Sequence, residues 1–337
     1  MTMLAESGSV TEQAHQEDSP VDRPELSVIG NLNWDLVLNG VDQWPVWGTE
    51  VFVARRDLIP GGIAHSAVAA RRQGTHTSII GCIGWDEDGT RLLNILGAQG
   101  VITAAALRVD SPTGLSVGII RSDGERAYLT YQGALAEASM SDLWNAQTPD
   151  QITSRYVLFS GLPLIRSASL TAGLAVLQEV RRQGHFSAMD VGWDPAGWPE
   201  DRVVYVRSMF GDCHYVIMNA VEVGALLQEG PERWADGHGC NVIVRHGEQG
   251  VHVYEPGRRY IVPGYRVVAL DTGGAGDVWN GSFFSGLCRG FGLEDAARWA
   301  NGAAALYVSR EPGMQRYPTR EEVGAFMLQA DKQDGGR

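Results

Sequence analysis

Val267 to Leu287 reads "VVALDTGGAGDVWNGSFFSGL". Three glycines and an alanine lie between Asp271 and Asp277. The preceding "YRVVAL" predicts a strand, and "GDVWNGSFFSGLCRG" fits a helix ended by Gly290. The glycine turn therefore opens a helix, where unpaired N–H groups and the helix dipole favour an anion. Gly274, Ala275 and Gly276 leave room for close backbone approach, with Asp277 in the first helical turn. Read alone, Asp277 is also an acidic residue stabilising its own helix start. A dinucleotide-binding turn fits poorly, because Gly281 is mis-spaced for GxGxxG and the turn falls late in the chain.

Composition narrows the chemistry. The 337 residues are 44% hydrophobic and 20% charged, in range for one large α/β unit. A net charge of -13 argues against a nucleic-acid partner, which would need a basic stripe. The sole lysine is Lys332, which excludes a Walker A loop and a Schiff-base or protein-kinase-type lysine. Cys82, Cys213, Cys240 and Cys288 are widely spaced, with neither a zinc nor a redox pattern. No signal peptide and no long apolar run are evident, so a cytoplasmic protein that does not enter a membrane is expected.

Residues 1–24 are polar, acidic and aperiodic, and predict a disordered extension; residues 328–337 predict a polar tail. Between them, over 25–327, apolar strands such as "LSVIGNL", "YVLFSGL" and "YVIMN" alternate with helical segments such as "GIAHSAVAARRQG". That alternation predicts an α/β fold, a mostly parallel central sheet flanked by helices. Two turn-rich stretches, at about 36–60 and 111–134, interrupt it and predict a small β-sheet lid, with "SDGE" as a hairpin turn. Exposed lid strands can also pair between chains, so a homodimer through the lid is expected.

"DTGGAGDVWNGSFFSGL" closely resembles the C-terminal motif of the ribokinase family, the PfkB carbohydrate kinases. "PGGIAHSAVAARRQG" resembles its N-terminal motif, "NAVE" its NxxE motif, and "ARWANGAAALYVSREPG" the helix closing its nucleotide site. The resemblance runs from about Leu26 to Val323. It implies a ribokinase-like three-layer fold and ATP-dependent phosphorylation of a hydroxyl on a sugar. A nucleoside kinase of the same family and a catalytically silent binding protein are the alternatives.

The resemblance also implies roles. Asp277 is the general base, and the Gly274, Ala275 and Gly276 amides cradle the transferring phosphoryl group. Asn33, Asp35, Gly61 and Gly62 bind substrate hydroxyls, Asn33 and Asp35 sharing one face at the end of the first strand. Ser66 stands where the family usually has a substrate-binding asparagine, and His65 lies beside it. Asn219, Arg245, Gly247, Gly276 and Asn301 face ATP: Asn219 near the phosphates, Arg245 offering a bidentate fork to phosphate, Asn301 at the adenine. Glu222 orients Mg²⁺ through its water shell. Asp271 and Gly273 match a loop that in many members binds a monovalent cation such as K⁺. The tryptophans of "DVGWDPAGW", Trp193 and Trp198, with Trp34, Trp44 and Trp47, offer a stacking wall for a sugar or base, or simply core or lid packing.

Overall fold

The computed structural model describes residues 24–145, 154–161 and 170–334. The expected N-terminal extension therefore lies, but for Pro24, outside the described residues. The central sheet has strand order β14-β13-β12-β11-β10-β9-β1-β4. Its strands are β1 (Leu26–Gly30), β4 (Thr77–Ile80), β9 (Tyr156–Ser160), β10 (Phe186–Asp190), β11 (Tyr215–Asn219), β12 (Asn241–Arg245), β13 (Gly250–Glu255) and β14 (Arg258–Pro263). β4 to β12 pair in parallel; β13 and β14 add an antiparallel ribbon at one edge.

Alternate strand residues enter opposite cores, as a sheet buried on both faces requires. Val28, Leu158, Ile217 and Ile243 meet α1 (Ile63–Arg72), α8 (Ala275–Cys288) and α9 (Leu293–Val308). Ile29, Phe159, Val216 and Val244 meet α3 (Met140–Asn145), α4 (Leu170–Arg182), α5 (Glu200–Phe210) and α7 (Pro231–His238). The α2 helix (Glu87–Ala98) starts at an Asp86 cap, whose carboxylate accepts from the Gly89 amide. Cys82, Cys213 and Cys240 are buried, Cys288 is half-buried, and none is paired.

A separate four-stranded sheet, β3-β2-β7-β8, forms the lid. It consists of β2 (Leu32–Asn39), β3 (Arg55–Gly62), β7 (Leu115–Ile120) and β8 (Arg126–Tyr131), with "SDGE" in the β7–β8 turn. A pair of short strands, β5 (Cys82–Gly84) and β6 (Leu107–Val109), flanks it.

Three expectations change. The lid starts at Leu32, so Asn33 and Asp35 lie on its first strand and not at the end of β1. The chain leaves the central sheet at Gly30, where a side chain would strike the Ser160 carbonyl at 1.9 Å. "YRVVAL" is not a strand: beyond β14 it runs as coil, with Val268 and Leu270 exposed. Finally, α10 (Arg320–Asp334) carries regular helix through most of the expected polar tail.

Candidate active site

The carboxyl ends of β9, β10, β11 and β12 carry Ser160, Asp190, Asn219 and Arg245 to one edge of the sheet. Open α/β sheets bind ligands beyond this edge. The glycine turn meets it from α8. Gly274 is the N-cap, with φ 73°, a left-handed conformation that suits glycine. A Cβ there would also meet the His65 ring at 2.9 Å. Ala275, Gly276 and Asp277 form the first turn, whose amides lack acceptors within the helix. In this conformation the Ala275 amide bonds the Thr272 carbonyl at 3.2 Å.

Asp277 is half-buried and lies 3.5 Å from the Ser160 hydroxyl. Burial, reinforced by the Asp190 charge, pushes its carboxyl up to about 6, against the opposing pull of His65 and Arg245. That value suits a base working near neutrality.

Asn33 and Asp35 do share a face: Asn33 Nδ2 donates to Asp35 Oδ1 at 2.8 Å. Asn31, which carried no signal of its own, joins the row by donating to Asn33 Oδ1 at 3.2 Å. Gly61 pairs with Asn33 across the lid, and a Cβ on it would lie 2.3 Å from the Asp35 carboxyl. Gly62 caps α1 with φ 59°. His65 Nε2 approaches Asp35 Oδ2 at 3.3 Å, while its Nδ1 meets the Tyr317 hydroxyl at 2.7 Å. Both contacts suit the Nε2–H tautomer, with Tyr317 donating. His65 therefore connects the Asp35 carboxylate to the glycine turn.

Four expected contacts are rearranged. Ser66 is 0% exposed and donates to the Asp277 carbonyl at 2.9 Å. It ties α1 to α8 behind Asp277, and a fully buried hydroxyl so engaged does not reach a sugar. Arg245 does form a bidentate fork, but onto the Asp190 carboxylate, at 2.9 and 3.1 Å. Its Nη1 also donates to the Gly276 carbonyl and to Asn280 Oδ1. Asn280 in turn donates to Asp190. Asn301 gives both amide hydrogens to the Val262 and Pro263 carbonyls and accepts from Trp279 Nε1. It is a strut between α8, α9 and β14, not a free base-reading amide. Trp34 is 2% exposed, its Nε1 donating to the Asp88 carbonyl, whereas Trp44 and Trp47 are exposed. No tryptophan wall forms.

Asn219 and Glu222 close a capping box on α6 (Ala220–Leu226). Glu222 is 2% exposed, and burial followed by the Asp190 charge pushes its carboxyl up to about 7. Asn219, Arg245, Gly247, Gly276 and Asn301 all line one cavity of about 960 Å³. Its other wall includes Tyr265, Arg266, Val267 and Ala269 of the coil beyond β14. Arg126, on the lid, also lines it and donates to the Thr272 hydroxyl at 2.8 Å, so the lid touches the glycine turn. Nothing in the motif pattern singled out Arg126.

Asp271 and Gly273 are the point of clearest disagreement. The Asp271 carboxylate and carbonyl both accept from the buried Arg316 guanidinium, and the Gly273 amide bonds Asp271 Oδ1 at 2.8 Å. These oxygens do not fit a bound monovalent cation, because an arginine already holds them.

Residues 23–320 match the profile of the pfkB family carbohydrate kinases. A 5-dehydro-2-deoxygluconokinase 2 of Bacillus cereus is 26% identical over 338 residues, covering 94% of this chain and 98% of that protein. A ribokinase of Bacillus subtilis is 27% identical over 300 residues, covering 88% and 97%. The crystal structure of a Thermotoga maritima ribokinase superposes with a TM-score of 0.72 at 26% identity, covering 90% of this chain and 99% of that one. With the glycine turn, the carboxylates and the lid in one fold, the chain belongs to the pfkB family and is a carbohydrate kinase.

Proposed function

We propose that the protein transfers the γ-phosphoryl group of ATP to a hydroxyl of a small sugar, with Asp277 as general base. The observation that carries the reading is Asp277 itself. Its carboxyl, pushed up to about 6, stands in the first turn of α8, beside the glycine turn that His65 links to Asp35. Ionised above that pH, Asp277 accepts the proton of the attacking hydroxyl, whose oxygen bonds to the γ-phosphorus as ADP leaves. The Gly274, Ala275 and Gly276 amides hold the phosphoryl oxygens as charge spreads. Arg245 acts at one remove, fixing the Gly276 carbonyl and Asp190.

Asn33, Asp35 and the Gly61–Gly62 backbone orient the sugar from the lid. Trp34 is buried, and its side chain therefore offers no stacking face to a base. The names of the Bacillus relatives, a ribokinase and a 5-dehydro-2-deoxygluconokinase, support small sugars and sugar acids as the first candidates.

Members of this family use ATP with a divalent metal, and Mg²⁺ fits these residues. Asp190, Glu222 and Asp277 set three carboxylates against the Arg245 guanidinium; burial first, and then the Asp190 charge, raises the Glu222 and Asp277 carboxyls. Glu222 would hold the hydrated ion, which when bound neutralises phosphate charge. A homodimer through the lid and a cytoplasmic location belong to the same proposal. No helix among the described residues is long and apolar enough to cross a membrane.

The test is ADP release over pentoses, ketohexoses, 5-dehydro-2-deoxygluconate, sugar phosphates and nucleosides, with Asp277→Asn as the blank. Turnover of a sugar, absent in the blank, is expected. Turnover confined to nucleosides would overturn the choice of acceptor.

A further inference from the structure

The stretch that opens the glycine turn ends in an unusual cage of oxygens. Arg316 is among the largest fully buried side chains. Its Nη1 donates to Asp271 Oδ2 at 2.7 Å, its Nη2 to the Asp271 carbonyl, and its Nε to the Tyr307 carbonyl at 2.8 Å. One carboxylate and two backbone carbonyls are the ligands a hard cation takes. Tyr307 lies in the last turn of α9, where the helix dipole adds negative potential. The guanidinium also lies over the Tyr307 ring, 3.9 Å from its centroid. Asp271 Oδ1, the remaining carboxylate oxygen, accepts from the Gly273 amide and so sets the turn that leads to Gly274.

We propose that Arg316 is a built-in replacement for a monovalent cation, holding the entry to the glycine turn so that nucleotide binding and turnover need no K⁺. The charge is the same, and it is tethered. A K⁺ ion would have to expel a buried guanidinium from every oxygen named above, leaving that guanidinium without partners in the core. The arrangement reaches the substrate side as well. Tyr307 and Tyr317 both approach His65 Nδ1, at 3.4 and 2.7 Å, and His65 contacts Asp35. The internal cation therefore braces both the anion-binding turn and the residues under the sugar.

This inference uses the kinase reading only for its turnover measurement; the salt dependence of ADP affinity is independent of it. ADP affinity would be measured by calorimetry on the full chain, in KCl and in tetramethylammonium chloride at equal ionic strength. Turnover of the accepted sugar would be followed in the same two salts. The wild-type protein is expected to differ by less than about twofold between salts in either readout. Stimulation by KCl of about tenfold or more would overturn the proposal. Arg316→Ala is expected to lose about tenfold in ADP affinity in tetramethylammonium and to regain it with KCl, which can enter the space left. A loss that KCl does not repair, or no loss at all, would reduce Arg316 to a packing residue and overturn the proposal. If that variant does not fold, the wild-type comparison decides alone. Absence of sugar turnover with intact, salt-independent ADP binding would count against the kinase reading and leave this one standing.

Discussion

A single carboxyl shows how far the surroundings set chemistry. Asp277 is lifted to about 6 because burial and Asp190 outweigh His65 and Arg245. A base must be ionised to accept a proton, so kcat/KM should be flat well above pH 6 and fall about tenfold per pH unit below it. A pH–rate profile with no acid limb near that value contradicts the assignment. Arg245→Met removes the partner of a mostly buried Asp190 and should cost about 3–5 kcal/mol, read by urea unfolding. At this scale legibility in the sequence divides cleanly. Asp277, Asn33, Asp35, Gly61 and Gly62 could be proposed from the sequence because each sits inside a short local motif. Ser66, Arg245, Asn301 and Asp271 lie around the glycine turn and its cavity, but their partners were not readable. Those partners, Asp277, Asp190, Val262 and Arg316, come from distant parts of the chain, where no spacing rule operates.

Elements obey a different logic, in which absent side chains decide how closely helices approach. Gly281 on α8 rests against α1, and a Cβ there would stand 2.0 Å from the Ser66 carbonyl. Gly281→Ala should therefore destabilise by about 1–3 kcal/mol through overpacking, and thermal denaturation would report it. A melting temperature equal to wild type would show that α1 and α8 have slack. The same displacement moves the Ser66 hydroxyl that holds the Asp277 backbone, so activity should fall along with stability. Most elements were legible from periodicity, because buried strands and amphipathic helices leave distinct patterns. "YRVVAL" was not: it has the composition of a strand but runs as coil, Val267 and Ala269 lining a cavity while Val268 and Leu270 are exposed. Nor was the break at Gly30, since only Asn31 separates β1 from the lid strand β2.

For the molecule as a whole, the layered α/β body was readable from the alternation of elements, while the lid's outer face was readable only as unpaired strand. Leu129 and Tyr131 are exposed on β8, alternating with Arg126, which faces the glycine turn. An apolar outer face on an edge strand favours pairing with a second copy. Light scattering should give about twice the 36.5 kDa chain mass, and Leu129→Asp should return it to one chain. A wild-type protein at the mass of one chain contradicts the lid dimer without touching the chemistry. That chemistry rests on one group, so its most direct test is the comparison of wild type with Asp277→Asn in sugar-dependent ADP release, with ADP affinity measured alongside. Unchanged ADP affinity and a fall in kcat of about 10²–10⁴ are expected. Turnover at the wild-type rate in the asparagine variant would contradict that chemistry.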